Sequence, residues 1–136
     1  MAVRKVSYVK LSVPSRAGQG AAVLGALADA GVSLLAFTGF PERGGRSQID
    51  LVARDLGSLR RVARRAGWRL AGPKRAFLVQ GRDRVGAVHR HLKRLAAAGV
   101  NVTAVDAVAA GGGRFGMILW VRPGDHARAA RALRAS

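Results

Sequence analysis

The chain has 136 residues, 49% of them hydrophobic, which suits one ordinary domain or two small ones sharing a core and excludes a disordered basic tail. It has no cysteine, so disulfides and thiolate metal sites are excluded and a reducing cytoplasm is the expected setting. Its 24 Lys and Arg stand against 7 Asp and Glu, a formal charge of +17, which points toward a polyanion partner through counterion release.

In chain order, "VSYVKLSV" (6–13) alternates as a half-buried strand does. "SRAGQGAAVLGALADAG" (15–31) then reads as a turn and a helix, with Gly31 where the C-cap needs a left-handed residue. "VSLLAFTGF" (32–40), a Gly44-Gly45 turn and "SQIDLVARD" (47–55) form a predicted hairpin. "SLRRVARRAG" (58–67) is a short second helix with Ser58 as its expected N-cap, and "WRLA" (68–71) a brief fourth strand. "RAFLVQ" (75–80) starts the pattern again. A helix follows with Val85, Val88, Leu92 and Leu95 expected on one face, ending at Gly99. "VNVTAVDAV" (100–108), a Gly112-Gly113 turn, "FGMILWV" (115–121) and "DHARAARALRA" (125–135), with Asp125 as N-cap, complete it.

The second half echoes the first at an offset of 68 residues. Eight of nineteen positions from Arg16 to Leu34 match, among them Gly18/Gly86, Leu27/Leu95 and Gly31/Gly99. Each repeat is strand, helix, strand, strand, helix, so the expected fold is α+β: two ferredoxin-like βαββαβ modules in tandem. Their sheets are antiparallel, with the helices on one face. The modules are expected at 1–71 and 72–136, the second lacking its last strand. Val9, Leu11, Ile49 and Leu51 are expected to face the helices, with Phe77, Val79, Met117 and Leu119 as counterparts. The opposite face carries Tyr8, Leu35, Phe37, Val52, Leu78, Val105, Ile118 and Trp120, too much apolar surface to leave in water.

"DRVGAVHRHLKRLAAAGVNV" (83–102) resembles the opening of an ACT domain, where a D-x-x-G turn after strand one leads into a helix ending in A-G-[IV]-N-[IV]. The first repeat is a looser match, with Ser15 in place of the Asp and Ser33 in place of the Asn. The resemblance implies a regulatory module that binds a small ligand, most often an amino acid, between paired domains. It implies one site around Asp83, Arg84, Val85, Gly86 and Asn101, and a second at the matching Ser15, Gly18 and Ser33. It further implies allosteric action through a homodimer and a regulated protein partner.

The residues' own chemistry is compatible with this reading. A helix start suits a carboxylate, Asp83 could pair with an ammonium group, and the Asn101 amide both donates and accepts. The same residues have purely structural uses: Asp83 to cap the helix, Gly86 to permit close helix–strand packing, Asn101 to close a turn. Gly18-Gln19-Gly20 lacks the third glycine of a dinucleotide fingerprint, since Val23 stands there. His89 and His91 are two apart on a helix and cannot grip one metal. No catalytic constellation, cofactor motif or metal site is expected, so the chain reads as non-enzymatic. Membrane partners are not expected, because the apolar runs fall far short of the roughly 20 residues of a span and no signal segment is seen. The alternative is RNA binding on the open sheet face, with Tyr8, Phe37 and Trp120 stacking bases between Lys10, Arg54 and Arg122. A Glu-free, small-residue surface at Ala22, Gly25 and Ala26 suggests a helix–helix contact between subunits.

Overall fold

The alternating strand segments and the 3.6-period helices fold as a computed structural model that describes residues 2–136. The strands are β1 (Ala2–Pro14), β2 (Leu34–Pro41), β3 (Arg46–Ala53), β4 (Ala71–Arg82), β5 (Val102–Gly111) and β6 (Arg114–Val121). The helices are α1 (Gln19–Asp29), α2 (Leu56–Ala66), α3 (Ala87–Ala97) and α4 (His126–Leu133). Both repeats take the ferredoxin-like βαββαβ form, and contacts divide the chain into Ser7–Lys74 and Met1–Val6 with Arg75–Ser136.

These boundaries differ from a division at 71/72 in an instructive way. Ser7 and Arg75 are one repeat length apart, so β1 and β4 are each cut at the equivalent point. In the N-terminal unit the strand order is β2, β3, β1 and the start of β4. A Cβ built on Gly72 would lie 3.1 Å from the Tyr8 carbonyl oxygen, which places Ala71–Lys74 beside β1 as the fourth strand. The expected strand "WRLA" therefore begins only at Ala71, as the opening of the long β4.

In the C-terminal unit the order is the start of β1, then β4, β6 and β5. The strand that 72–136 lacks is thus supplied by the first residues of the chain itself. Val3 packs in this unit's core with Phe77, Val79, Leu95, Met117, Leu119 and Leu133. Arg4 donates to the Gln80 side chain at 3.0 Å. The Ser136 N–H donates to the Val3 carbonyl and the Lys5 N–H to the Ser136 carbonyl, each at 3.0 Å.

Face assignment follows from the alternation. Val9, Leu11, Ile49 and Leu51 pack with Val23 and Leu27 of α1 and Leu59 and Val62 of α2. The antiparallel registers set Val9 opposite Leu51 and Phe77 opposite Leu119, so each pair points at its unit's helices together. Gly31 and Gly99 both take φ 71° just past their helices, where the next N–H reaches back to Leu27 or Leu95. This is the left-handed cap their positions required.

Three local expectations are corrected. α3 begins at Ala87, so Val85 lies outside it and is fully exposed; the buried stripe is Ala87, His91 and Leu95. α2 is capped by Asp55, whose carboxylate accepts from the N–H groups of Gly57 and Ser58 and from the Ser58 hydroxyl. Asp125 precedes α4 without a side-chain cap bond and instead pairs with Arg128 at 2.6 Å.

His126 is buried in the C-terminal unit, its ring stacked on Phe77 at 4.6 Å between centroids. Burial lowers its pKa below the ordinary value of 6.5, and Arg75 and Lys5 lower it further. No helix is long and apolar enough to cross a membrane among the described residues.

Two measurements check this account. Val3→Asp should strip hydrogen-exchange protection from amides of Phe115–Val121 more than from those of Ile49–Val52; equal losses would deny that β1's start belongs to the C-terminal unit. The second concerns pH. With a depressed folded-state pKa, the unfolded chain takes up its proton first as pH falls. His126 therefore contributes full stability above the unfolded value, and that contribution is lost as pH drops through the folded one. His126→Leu should flatten the fall in urea-melt stability between about pH 7 and 5; an unchanged slope would show that His126 does not carry it.

Candidate functional site

The turn between the first strand and first helix of each unit is built the same way. The Ser15 N–H donates to the Gly45 carbonyl at 2.8 Å, and the Asp83 N–H donates to the Gly113 carbonyl at 2.9 Å. Each bond ties the turn to the glycine tip of the adjacent hairpin. Gly18 and Gly86 are the N-caps of α1 and α3, with φ of 89° and 81°. Nothing lies within 4 Å of a Cβ built on either. The glycine is therefore required by the left-handed backbone and not by close packing, and the space before it is open.

Neither helix has a side-chain cap. The Gln19 and Ala87 N–H groups donate to the Arg16 and Arg84 carbonyls at 3.3 and 3.0 Å, and no Ser, Asp or Asn side chain takes those that follow them in the first turn. Asp83 thus does not cap α3.

A hollow opens at each turn. In the N-terminal unit it measures about 580 Å³, and Ser15, Gln19, Phe37, Phe40, Ser47 and Ile49 give it its character. The Ser47 hydroxyl donates to that of Ser15 at 3.1 Å, and at the neighbouring rim Arg46 Nε donates to the Ser12 hydroxyl at 2.8 Å. In the C-terminal unit the hollow is about 230 Å³, walled by Asp83, Arg84, Gly86, His89, Val108 and Phe115. The two occupy equivalent places in the repeat, with Phe40 answering Val108 and Ser47 answering Phe115.

The structure brings Asp83, Arg84 and Gly86 together in one hollow, and sets Ser15 in the other, whose wall includes Ala17 and Gln19 but not Gly18. Val85 projects into solvent beside them. Asn101 and Ser33 lie elsewhere. Val102 pairs with Val121 while Arg82 pairs with Arg114, so Asn101 is separated from Asp83 by the length of β6, about 23 Å at ~3.3 Å per residue. Ser33 stands in the same relation to Ser15, because Leu34 pairs with Ala53 and Pro14 with Arg46. Within a unit, these pairs do not share a site.

Sequence reasoning missed the hairpin side of each hollow, from Phe37 to Pro41 and Ala107 to Ala109. The signal was present, since parallel first and second strands end at the same edge of the sheet. It also missed a polar cluster on the opposite sheet face of the N-terminal unit. Asp50 is buried there and accepts from Gln48 Nε2 at 2.8 Å. Burial raises its pKa, against the lowering influence of Gln48, Lys10 and Lys74. Lys74 is lowered chiefly by its neighbour Lys10, and Tyr8 is raised by burial and by Asp50.

The open-face RNA reading meets a physical obstacle. Tyr8 is 8% exposed and Trp120 7%, so neither ring can stack on a base, and Phe37, expected on the open face, stands opposite Leu51 on the helix side of the sheet. Among the described residues no group of three His, Asp or Glu side chains stands together as a metal site.

No protein-family model and no curated protein matches the sequence. Solved structures do match the fold. Protein BT0572 from Bacteroides thetaiotaomicron superposes with a TM-score of 0.80 at 14% identity, covering 97% of this chain and 88% of that one. The aspartokinase alpha and beta subunits match with a TM-score of 0.64 at 15% identity, over 98% and 95% of the two chains. The ligand-free regulatory subunit of aspartate kinase from Thermus thermophilus matches with a TM-score of 0.61 at 17% identity, over 98% and 95%.

One substitution tests the turn. Gly86→Ala should cost about 1–2 kcal/mol by forcing a Cβ into left-handed backbone, read as a lowered urea midpoint; a neutral result would mean that the turn relaxes freely. A tandem ferredoxin-like fold, with a hollow repeated at the same turn of each unit, is what the geometry and the structural likenesses establish together.

Proposed function

We propose that this chain is a non-enzymatic regulatory protein of the ACT type that binds an amino acid in the hollow at Asp83 and acts allosterically through a homodimer. The observation that carries the reading is the repeated hollow at an uncapped helix start, in one copy furnished with a carboxylate. A ligand carboxylate would take the N–H groups of Val88 and His89 in the first turn of α3, which no side chain caps. Asp83 would hold the ammonium group, and Val108 and Phe115 would meet a small side chain. The likeness to a protein named as the regulatory subunit of aspartate kinase supports a regulatory role.

The first unit offers hydroxyls and aromatic rings where the second offers an acid, so its hollow would take a different or weaker ligand. Self-association is supported by apolar side chains left in water beside the hollows. Val85, Val105 and Val108 are exposed in the C-terminal unit, and Phe37 and Phe40 in the other. A second copy covering them would make ligand binding and assembly depend on each other, and a cytoplasmic partner protein would read the result.

The test is a thermal-shift screen against the twenty amino acids, paired with light scattering. A ligand at ~100 times its dissociation constant stabilises by about 2.7 kcal/mol, several degrees for a chain of this size. One or two amino acids should produce that shift, and Asp83→Ala should abolish it without lowering the ligand-free melting temperature. A screen in which no amino acid shifts the wild type, or in which Asp83→Ala responds like the wild type, would remove this site.

A further inference from the structure

The charge of +17 is placed differently on the helices of the two repeats: in the N-terminal unit α2 carries Arg60, Arg61, Arg64 and Arg65 and α1 none, whereas in the C-terminal unit both helices are basic. α1 carries no cation, whereas α3, its equivalent, carries Arg90, Lys93 and Arg94 where α1 has Ala22, Gly25 and Ala26. α4 packs against α3 and adds Arg128 and Arg131, with Arg134 at its end. Five of these six side chains are exposed and Arg94 is half-buried.

Almost nothing neutralises them. Neither helix contains an acid, and Arg128–Asp125 is the one ion pair among the described residues. The apolar stripes of both helices, Leu95 with Ala87 and Leu133 with Ala129, are spent on the unit's own core. What remains outward is a two-helix face of guanidinium and ammonium groups.

We propose that this α3–α4 face binds the phosphate backbone of nucleic acid without reading its sequence. Arg90 lies three and four residues before Lys93 and Arg94, and Arg128, Arg131 and Arg134 follow at intervals of three, about 4.5–6 Å along each axis, so they form two short rows. Arginine's planar fork suits phosphate oxygens, and each neutralised phosphate releases counterions. Base recognition is not part of the proposal, because no Phe, Tyr or Trp lies on α3 or α4.

The chemistry favours nucleic acid over the other polyanions. A lipid surface is held by apolar side chains as well as charge, and none of the exposed large hydrophobics lies on α3 or α4. A protein interface needs an apolar centre, which this face also lacks. The field is felt inside the unit as well: the pKa of buried His91 is lowered by burial first, then by Arg94 and Arg90.

The experiment is fluorescence anisotropy of a labelled 20-base-pair DNA duplex of arbitrary sequence, titrated at several salt concentrations between about 50 and 200 mM. The variant is Arg90→Gln, Lys93→Gln, Arg131→Gln and Arg134→Gln together, leaving the Arg128–Asp125 pair in place. A control carries Arg16→Gln and Arg43→Gln, both in the N-terminal unit. The wild type should bind with a steep loss of affinity as salt rises. The fourfold variant should bind at least about tenfold more weakly, with a log–log salt slope shallower by roughly 3. Circular dichroism should show both variants folded. No binding by the wild type would overturn the proposal, as would equal weakening by the control. Equal affinity for polyglutamate, or for phosphatidylserine vesicles in preference to the duplex, would overturn it too.

Discussion

A split βαβ sheet needs a strand beside its first one, and this chain meets that need twice with two long strands that each serve both units. β1 gives its first residues to the C-terminal unit and the rest to the N-terminal one, and β4 does the reverse. Without Val3 at the foot of the C-terminal core, the edge of β4 beside Gln80 and the apolar floor around Phe77 would face water. The cuts fall one repeat length apart, so each unit receives a complete βαββαβ set although only the first has its strands in sequence order. The hollows depend on this arrangement. Each is formed where a completed first strand turns into its helix, held by one backbone bond to the hairpin tip.

Much of this was legible in the chain because strand alternation fixes a face. Once Val9 and Leu51 were assigned to one side, Phe77 and Leu119 followed from the repeat, and all four lie under helices. Gly31 and Gly99 were legible because a left-handed cap tolerates few other residues. The completing strand was not, since nothing local in "VRKV" links it to residues more than 70 positions away. Asp55 was hidden by Ser58, which is itself a good cap and ends up donating its hydroxyl to Asp55. Val85 looked helical because periodicity alone cannot see that Gly86, at φ 81°, holds the residues before it out of the helix.

The site was half legible for a related reason. The motif names residues at both ends of the first helix, and sequence proximity makes them look like neighbours. A helix of eleven residues separates its ends by about 16 Å, and the strand that follows starts at the far edge of the sheet. Asp83 therefore meets the end of β5 and not its beginning. The polar cluster at Asp50 was unreadable because alternation assigns Asp50 to one face with Tyr8 and Val52 but does not report that all three are buried.

The repeat itself separates what the fold demands from what it merely allows. The two turns share a backbone, a glycine cap and a hairpin tie, so Gly18/Gly86, Leu27/Leu95 and Gly31/Gly99 answer to geometry common to both units. Where the copies differ, the same geometry accepts either residue. Ser15 and Asp83 occupy one position, as do Ser47 and Phe115, and no structural bond calls for the carboxylate in one copy only. The outer face of the first helix is small in one unit and cationic in the other, over the same kind of apolar stripe. Differences of this kind cost the fold little, which leaves their chemistry free for partners. The acid in the smaller hollow and the cations along α3 are therefore the residues through which the C-terminal unit has departed from its twin.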